Sequence, residues 1–230
     1  MENKIFITNQ VEKVRRGDYT DFLDPNQLHQ VISILNKYHI DYNILKLFND
    51  CEKTIIYSDK YPDISLIEIK CNNILNHKDI LGSLFSHNIN ISKYGDIVIT
   101  DKYYLPILDS IKPYIISNIT NIGKNNVKIE EVDIGIISNY SYLYEEKEFL
   151  VSSLRLDNIV STITNCSRSQ VEDLFKDKYI FVNYVPNNKK TYLLKDNDII
   201  GIRRNGKYKY IGIKKYTNKN KYIIKVLKYK

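Results

Sequence analysis

The order of strand-like and helix-like segments between residues 64 and 132 constrains the fold more than any other feature of the sequence. Short stretches rich in β-branched and aromatic residues are typical of strands, whereas apolar residues spaced three and four apart are typical of helices. These patterns predict strands at 64–70, 95–100, 103–106 and 127–132, and helices at 76–86 and 107–119. The β-α-β-β-α-β order predicts a ferredoxin-like, RRM-like plait, in which two helices cover one face of a four-stranded sheet.

The segment before this region is predicted to be mainly helical. A first helix at 3–16 ends at the glycine of Gly17-Asp18, and a second begins at Pro25, a residue favoured in the first helical turn. Two short β-rich pieces, 43–48 and 54–57, follow and predict a hairpin.

The segment after the plait changes character at a charged run, 145–148, which we interpret as a hinge. Beyond it the patterns predict helices at 153–163 and 167–175, then strands at 180–182, 192–194, 199–203, 208–213 and 221–230. The chain is therefore predicted to be an α+β protein in three parts: a helical N-terminal segment with a hairpin (1–60), the plait domain (61–144) and a C-terminal domain with a basic β tail (150–230).

Composition excludes several classes of protein. Hydrophobic residues make up 43% and charged residues 27% of the 230 residues, which indicates a globular chain and not a disordered one. Three cysteines without a C-x-x-C spacing predict neither a disulfide framework nor a structural metal site. The first residues lack the apolar core of a signal peptide, and no apolar run is long enough to cross a membrane, so we expect a cytoplasmic protein.

Charge is distributed unevenly along the chain. Residues 1–145 contain 15 basic and 19 acidic residues, a net charge of −4, whereas residues 146–230 contain 19 and 8, a net charge of +11. A localised cationic surface is what binding to a nucleic-acid backbone requires. A lysine-rich surface produced by an AT-rich genome is the alternative, but such a bias should have charged both parts alike.

One local motif points to phosphate binding. Ser167-Arg168-Ser169-Gln170 fits a capping box, which fixes a helix N-terminus where free amides favour an anion. Arg155 lies on the preceding predicted helix, so a helical hairpin would bring both guanidinium groups towards that helix end. Surface pairs, Arg155 with Asp157 or Arg168 with Glu172, are the alternative use of the two arginines.

Several motifs in this region resemble the RNA-binding domain named after ribosomal small-subunit protein four, here called the S-four domain. The matching segments lie at 153–157, 167–169, 182–183, 197–200, 203 and 206–208. Segments 22–25, 77–84 and 94–97 resemble YlmH-type bacterial proteins, which have an N-terminal segment, a plait-like middle domain and a C-terminal S-four domain. The chain departs from the S-four pattern at Gln170, where lysine is frequent, and at Lys178 and Asn197, where glycine is usual.

The resemblance implies non-enzymatic binding of structured ribosomal RNA on the large subunit. It implies a role in ribosome-associated quality control, in which a stalled chain on peptidyl-tRNA receives a C-terminal tail, with tRNA and quality-control proteins as further partners and no cofactor. The residues expected to contact RNA are Arg155, Arg168, Ser169, Gln170, Arg203, Arg204, Lys207 and Lys209.

Other functions receive less support from the sequence. No G-x-G loop and no P-loop occurs, so a methyltransferase or phosphate-transferring enzyme is not indicated. His77 and Asp79 fall at a predicted helix start, and Cys166 has no histidine near it in sequence. The alternatives that stay open are a protein–protein adaptor and the RNA-targeting part of an rRNA-modifying system.

Overall fold

The computed structural model describes residues 2–217 and 221–229, which form two compact units, 1–141 and 142–230. Met1, residues 218–220 and Lys230 lie outside the described residues, so the predicted domain 1–60 and the predicted tail strand 221–230 are described only in part.

The N-terminal part of the first unit has two helices and a short hairpin. Its elements are α1 (Glu2–Arg15), α2 (Pro25–Lys37), β1 (Asn43–Leu45) and β2 (Ile55–Tyr57). The side chain of Asp24 accepts the Gln27 amide at 2.8 Å and the Gln27 side chain accepts the Asp24 amide at 3.0 Å, so a capping box sets the start of α2. The helices bury one apolar face each, with Val14, Val31 and Leu35 in their shared core.

The middle of the first unit is the predicted plait. Its elements are β3 (Ile64–Lys70), α3 (His77–Ser86), β4 (Val98–Ile99), β5 (Tyr103–Leu108), α4 (Lys112–Asn118), the small hairpin β6 (Asn121–Ile122) and β7 (Asn125–Asn126), and β8 (Lys128–Val132). The sheet order is β4-β5-β3-β8 with every neighbour antiparallel. Ile67, Leu105 and Ile129 face the helices and pack with Ile80 and Ile115. The predicted α+β fold is confirmed.

Two predicted boundaries in the plait are wrong. The strand predicted at 95–100 is limited to Val98–Ile99, and the helix predicted at 107–119 starts only at Lys112. Ile107 and Leu108 belong to β5, where they pair with Ser65 and Ile64, and a 3-10 turn, Asp109–Ile111, follows. A short apolar run does not distinguish a buried strand from a buried helix, and here the sheet pairing decides.

The second unit is a six-stranded antiparallel sheet with two helices on one face. Its elements are β9 (Tyr144–Val151), α5 (Leu156–Thr164), α6 (Arg168–Lys176), β10 (Ile180–Val182), β11 (Val185–Pro186), β12 (Ile199–Ile202), β13 (Gly206–Tyr216) and β14 (Tyr222–Tyr229), with sheet order β11-β10-β12-β13-β14-β9. Leu156, Val160 and Phe175 from the helices pack against Ile200 and Val226 of the sheet.

The predicted hinge at 145–148 is instead part of strand β9. The strand pairs with β14, so that Glu145 lies opposite Lys228 and Glu148 opposite Lys225. Opposite charges across a strand pair are favourable, which explains how a charged run forms an edge strand. The sheet therefore begins at Tyr144, before the predicted domain start at residue 150.

The predicted strand 192–194 is also wrong. Leu193 forms only an isolated bridge with Arg155, and the Tyr192 carbonyl accepts the Leu156 amide at 2.8 Å. This loop therefore closes the N-terminus of α5, which starts at Leu156 and not at residue 153 as predicted.

Lys178 and Asn197, the residues that replace glycine in the S-four pattern, both have left-handed backbone conformations. Their φ angles are 57° and 71°. Lys178 follows the end of α6, where its amide donates to Phe175 and the Tyr179 amide donates to Leu174, as in a Schellman motif. The backbone therefore has the conformation that glycine favours although a lysine occupies the position.

Replacing Lys178 with glycine is expected to raise the free energy of unfolding of the second unit by about 1 kcal/mol, because the left-handed conformation is unfavourable for a residue with a Cβ atom. Urea denaturation followed by circular dichroism would measure the change. Lys176→Gly, in the last turn of the same helix, should lower the free energy of unfolding by about 1 kcal/mol. Equal stability of K178G and the parent would contradict the prediction.

Candidate nucleic-acid interface

The N-terminus of α6 has the predicted capping box. The Ser167 hydroxyl accepts the Gln170 amide at 3.4 Å, and the Gln170 side-chain oxygen accepts the Ser167 amide at 2.9 Å. The hydroxyl groups of Ser167 and Ser169 are 3.1 Å apart. Gln170 therefore serves as a cap, while Arg168 and Ser169 present exposed side chains beside the first turn of the helix.

Arg155 and Arg168 differ in their surroundings. The Arg155 guanidinium binds both carboxylate oxygens of Asp157, with Nε 3.1 Å from Oδ1 and Nη2 2.6 Å from Oδ2. Arg168 makes no ion pair with any residue in the ranges 2–217 and 221–229, and Glu172 pairs with Lys190 at 3.0 Å. Of the two surface pairs considered from the sequence, only the Arg155 pair is present.

The structure does not join the two arginines at one helix end. The sequence predicted that Arg155 lies within a helix, whereas in the structure it is the N-cap residue of α5. The nine residues of α5 have a helical length of about 13 Å, and they lie between Arg155 and the turn that leads to Arg168. Arg168 therefore lies at the N-terminus of α6 without a contact from Arg155.

Arg203 and Arg204 lie in the tight turn between β12 and β13. The guanidinium carbon of Arg203 is 4.7 Å from the ring centroid of Tyr179, and the Arg203 amide donates to the Tyr179 carbonyl at 3.0 Å. Arg204 is exposed and has a φ of 66°. Stacking on Tyr179 limits the conformations of Arg203 and leaves its charge at the surface, an arrangement suited to phosphate binding.

Lys207 and Lys209 lie on the face of the sheet that is opposite the helices. Successive side chains of a strand point to opposite faces, and Tyr208 and Tyr210 are buried in the core beneath α5 and α6. The Lys207 ammonium is 4.3 Å from the ring centroid of Tyr229. The predicted contact residues thus lie at the start of α5, at the N-terminus of α6, in the β12–β13 turn and on the outer sheet face.

Several cations that sequence reasoning did not select belong to the same unit. Lys214 and Lys225 are neutralised by Glu148 and Glu146 on the outer sheet face. Other basic side chains make no ion pair within the part of the chain that the structure describes: Lys178, Lys189, Lys195, Lys215, Lys221 and Lys228. A count of charges does not reveal this difference, because pairing depends on which strands are neighbours.

The outer face of the plait sheet carries carboxylates. Glu68 lies directly opposite Glu130, and three lysines compensate them: Lys102 pairs with Glu68 at 3.2 Å, while Lys70 and Lys128 each lie 2.5 Å from Glu130. RRM domains bind RNA bases on aromatic residues of the equivalent face. The charges on this face disfavour that mode of binding here.

We expect the Glu130 carboxyl to titrate far below its usual range. Hydrogen bonds from Lys128 and then Lys70 lower its pKa from 4.5 to about 2. The pairs therefore contribute to stability above pH 4.5, and this contribution is lost as the pH falls through about 2. Carbon-detected NMR titration would measure the midpoint, and Lys128→Met should raise it; an ordinary midpoint near 4.5 in the parent would contradict the prediction.

The described residues contain no group of three or more His, Cys, Asp or Glu side chains placed to hold a metal ion. Among them there is also no helix with the length and hydrophobicity needed to cross a membrane.

Comparison with known proteins relates the chain to one family. Residues 58–135 match the family model described as "Putative RNA-binding domain in YlmH". The chain is 25% identical over 224 residues to "Ribosome-associated protein quality control protein P2" of Bacillus subtilis (strain 168), covering 92% of this chain and 87% of the relative.

A solved structure, "Cell division protein ylmH from Streptococcus pneumoniae", is similar with a TM-score of 0.49 and 19% identity, covering 60% of this chain and 96% of that chain. The family match lies in the plait and its flanks, before all eight residues predicted to contact RNA. Residues 58–135 thus match the YlmH-type RNA-binding domain, and the predicted resemblance of the chain to YlmH-type proteins is confirmed.

Proposed function

We propose that this protein is a non-enzymatic, cytoplasmic RNA-binding factor that holds structured ribosomal RNA of the large subunit and stabilises peptidyl-tRNA during ribosome-associated quality control. We also infer that the second unit, residues 142–230, is an S-four domain. The Bacillus relative, whose name places it in ribosome-associated quality control, supports the biological setting.

The exposed Arg168 at the capped N-terminus of α6 is the observation that carries this proposal. A helix N-terminus offers free amides to a phosphate, and a guanidinium beside it can donate two hydrogen bonds to phosphate oxygens. Arg203 and Arg204 at the β12–β13 turn add further cations in the same unit. Such a set of contacts recognises the backbone and shape of folded RNA with little base-specific readout.

Binding to ribosomes should depend steeply on salt. If Arg168, Arg203, Arg204 and Lys209 each neutralise a phosphate, raising the salt from 50 to 200 mM should weaken binding roughly 100-fold, because counterions are released at each contact. Cosedimentation of the full chain with purified large subunits over a salt series would measure this dependence.

A salt-independent affinity would contradict the RNA-binding proposal and would favour the adaptor function that the sequence left open. Crosslinking in cells, followed by sequencing of the attached RNA, would test the assignment to the large subunit. Crosslinks confined to RNA outside the large subunit would overturn that part of the proposal.

A further inference from the structure

Gly82 lies in the interior of α3, where the packing of the protein does not require a glycine. A Cβ atom at this position would have no neighbouring atom within 4 Å, and the backbone is that of an ordinary helix. Glycine is among the poorest helix-forming residues, and one use of an interior glycine is to allow the close approach of some other group. Nothing in the described protein makes that approach at Gly82.

A groove opens at this glycine between α3 and the β6–β7 hairpin. Its volume is about 440 Å³, within the range of sites for small molecules, and it is lined mainly by polar residues: Lys78, Asp79, Gly82, Ser83, Ser86, His87, Asn121 and Gly123. A side chain larger than hydrogen at position 82 would project into this space. The glycine therefore keeps open a groove large enough for one nucleotide.

The groove and the face of α3 beside it combine a cation, an aromatic ring and a histidine nitrogen. Lys78, Gly82 and Phe85 are spaced by four and three residues, so they share one face of α3. Phe85 is 84% exposed, and Lys78 makes no ion pair with residues of the described ranges. The His87 Nδ1 atom donates to the Ser83 carbonyl at 2.8 Å, so Nε2 is the ring nitrogen left for a ligand.

We propose that this groove binds one unpaired nucleotide of RNA, with the base stacked on Phe85 and the phosphate beside Lys78. A surface that combines a cation with an exposed aromatic ring is the arrangement by which proteins hold unpaired bases. The groove lies inside the segment that matches the YlmH RNA-binding domain, and the opposite side of the plait carries Glu68 and Glu130. The proposal rests on the proposed RNA-binding function and extends it to a second contact, in the first unit.

The test compares a blunt RNA hairpin with the same hairpin carrying a single-stranded extension of six adenosines. The full-length protein and Gly82→Leu are titrated with both RNAs by fluorescence anisotropy. G82L should raise the melting temperature, because leucine is a better helix former, and should still weaken binding to the extended RNA at least 10-fold. Lys78→Ala combined with Phe85→Ala should have a similar effect, and binding to the blunt hairpin should change less than 2-fold for both.

A matched control exists on α2 and the residue after it. The Lys37 ammonium lies 5.6 Å from the ring centroid of the exposed Tyr38, so K37A/Y38A removes the same kinds of group from another surface. This control should bind both RNAs like the parent. Equal affinities of G82L, K78A/F85A and the parent for the extended RNA would overturn the nucleotide site.

The outcomes also separate this inference from the proposed function. Loss of binding to both RNAs on Arg168→Ala, together with no effect of G82L, would overturn the nucleotide site and would still support the proposed function. Loss of binding to the extended RNA on G82L, with no effect of R168A, would support the nucleotide site and would overturn the contact at Arg168 on which the proposed function depends. Loss of ribosome association by G82L without any loss of RNA binding would overturn the nucleotide site in favour of a protein ligand.

Discussion

Replacing Arg155 and Arg168 together with alanine is expected to weaken ribosome binding by roughly 30- to 1000-fold, equivalent to about 2–4 kcal/mol, taking about 1–3 kcal/mol for each charge-assisted contact without full additivity. Arg168 supplies a cation beside the free amides of α6. Arg155 supplies a second guanidinium at the start of α5. Cosedimentation of each variant with large subunits at fixed salt would measure the loss.

The two single variants should contribute unequally. Arg155 already donates two hydrogen bonds to Asp157, so a phosphate would have to compete with that carboxylate, whereas Arg168 has no ion pair in the described structure. We therefore expect Arg168→Ala to account for most of the loss. Lys176→Ala, at the other end of α6, serves as the control and should change binding less than 2-fold. A double variant that binds like the parent would show that the RNA-binding face lies elsewhere.

The plait could be predicted from the sequence because each of its elements has a local signature. Strand 64–70 and helix 76–86 are set by patterns within a few residues, and the structure has them within one residue of those bounds. The run 107–108 could not be assigned in the same way, because its strand state depends on pairing with Ile64 and Ser65, more than forty residues earlier. Non-local pairing likewise makes a strand of the charged run 145–148.

The candidate site was predictable to a similar degree. The capping box at Ser167 is encoded within four residues, and the structure contains it. The pairing of Arg155 could not be predicted, because a carboxylate two residues away and a phosphate offer the same guanidinium similar hydrogen bonds.

The positions of Lys207 and Lys209 could have been inferred from alternation with Tyr208 and Tyr210, had those tyrosines been assigned to the core. Gly82 is visible in the sequence as a glycine inside a helical pattern, but only the structure shows the empty space beside it that indicates a groove.

Asp198→Ala is expected to lower the free energy of unfolding of the second unit by about 3 kcal/mol, since losing a buried, charged hydrogen-bond acceptor leaves several donors without a partner. Asp198 is only 6% exposed. Its carboxylate accepts hydrogen bonds from the Asn183 side chain at 2.7 Å, the Lys195 amide at 2.8 Å and the Tyr192 hydroxyl at 3.2 Å. Urea denaturation followed by circular dichroism would measure the change.

The loss of stability in D198A should also affect the proposed RNA-binding surface, because the 190–195 loop connects Asp198 to the start of α5. The carbonyls of Tyr192 and Lys190 accept the Leu156 and Asp157 amides, so this loop holds the first turn of α5 and with it Arg155. Hydrogen exchange at the Leu156 amide should accelerate in D198A more than at amides of the plait. Asp196→Ala, at an exposed carboxylate two residues away, should change stability by less than about 0.5 kcal/mol. If D198A were as stable as D196A, the Asp198 carboxylate would not be what fixes this loop.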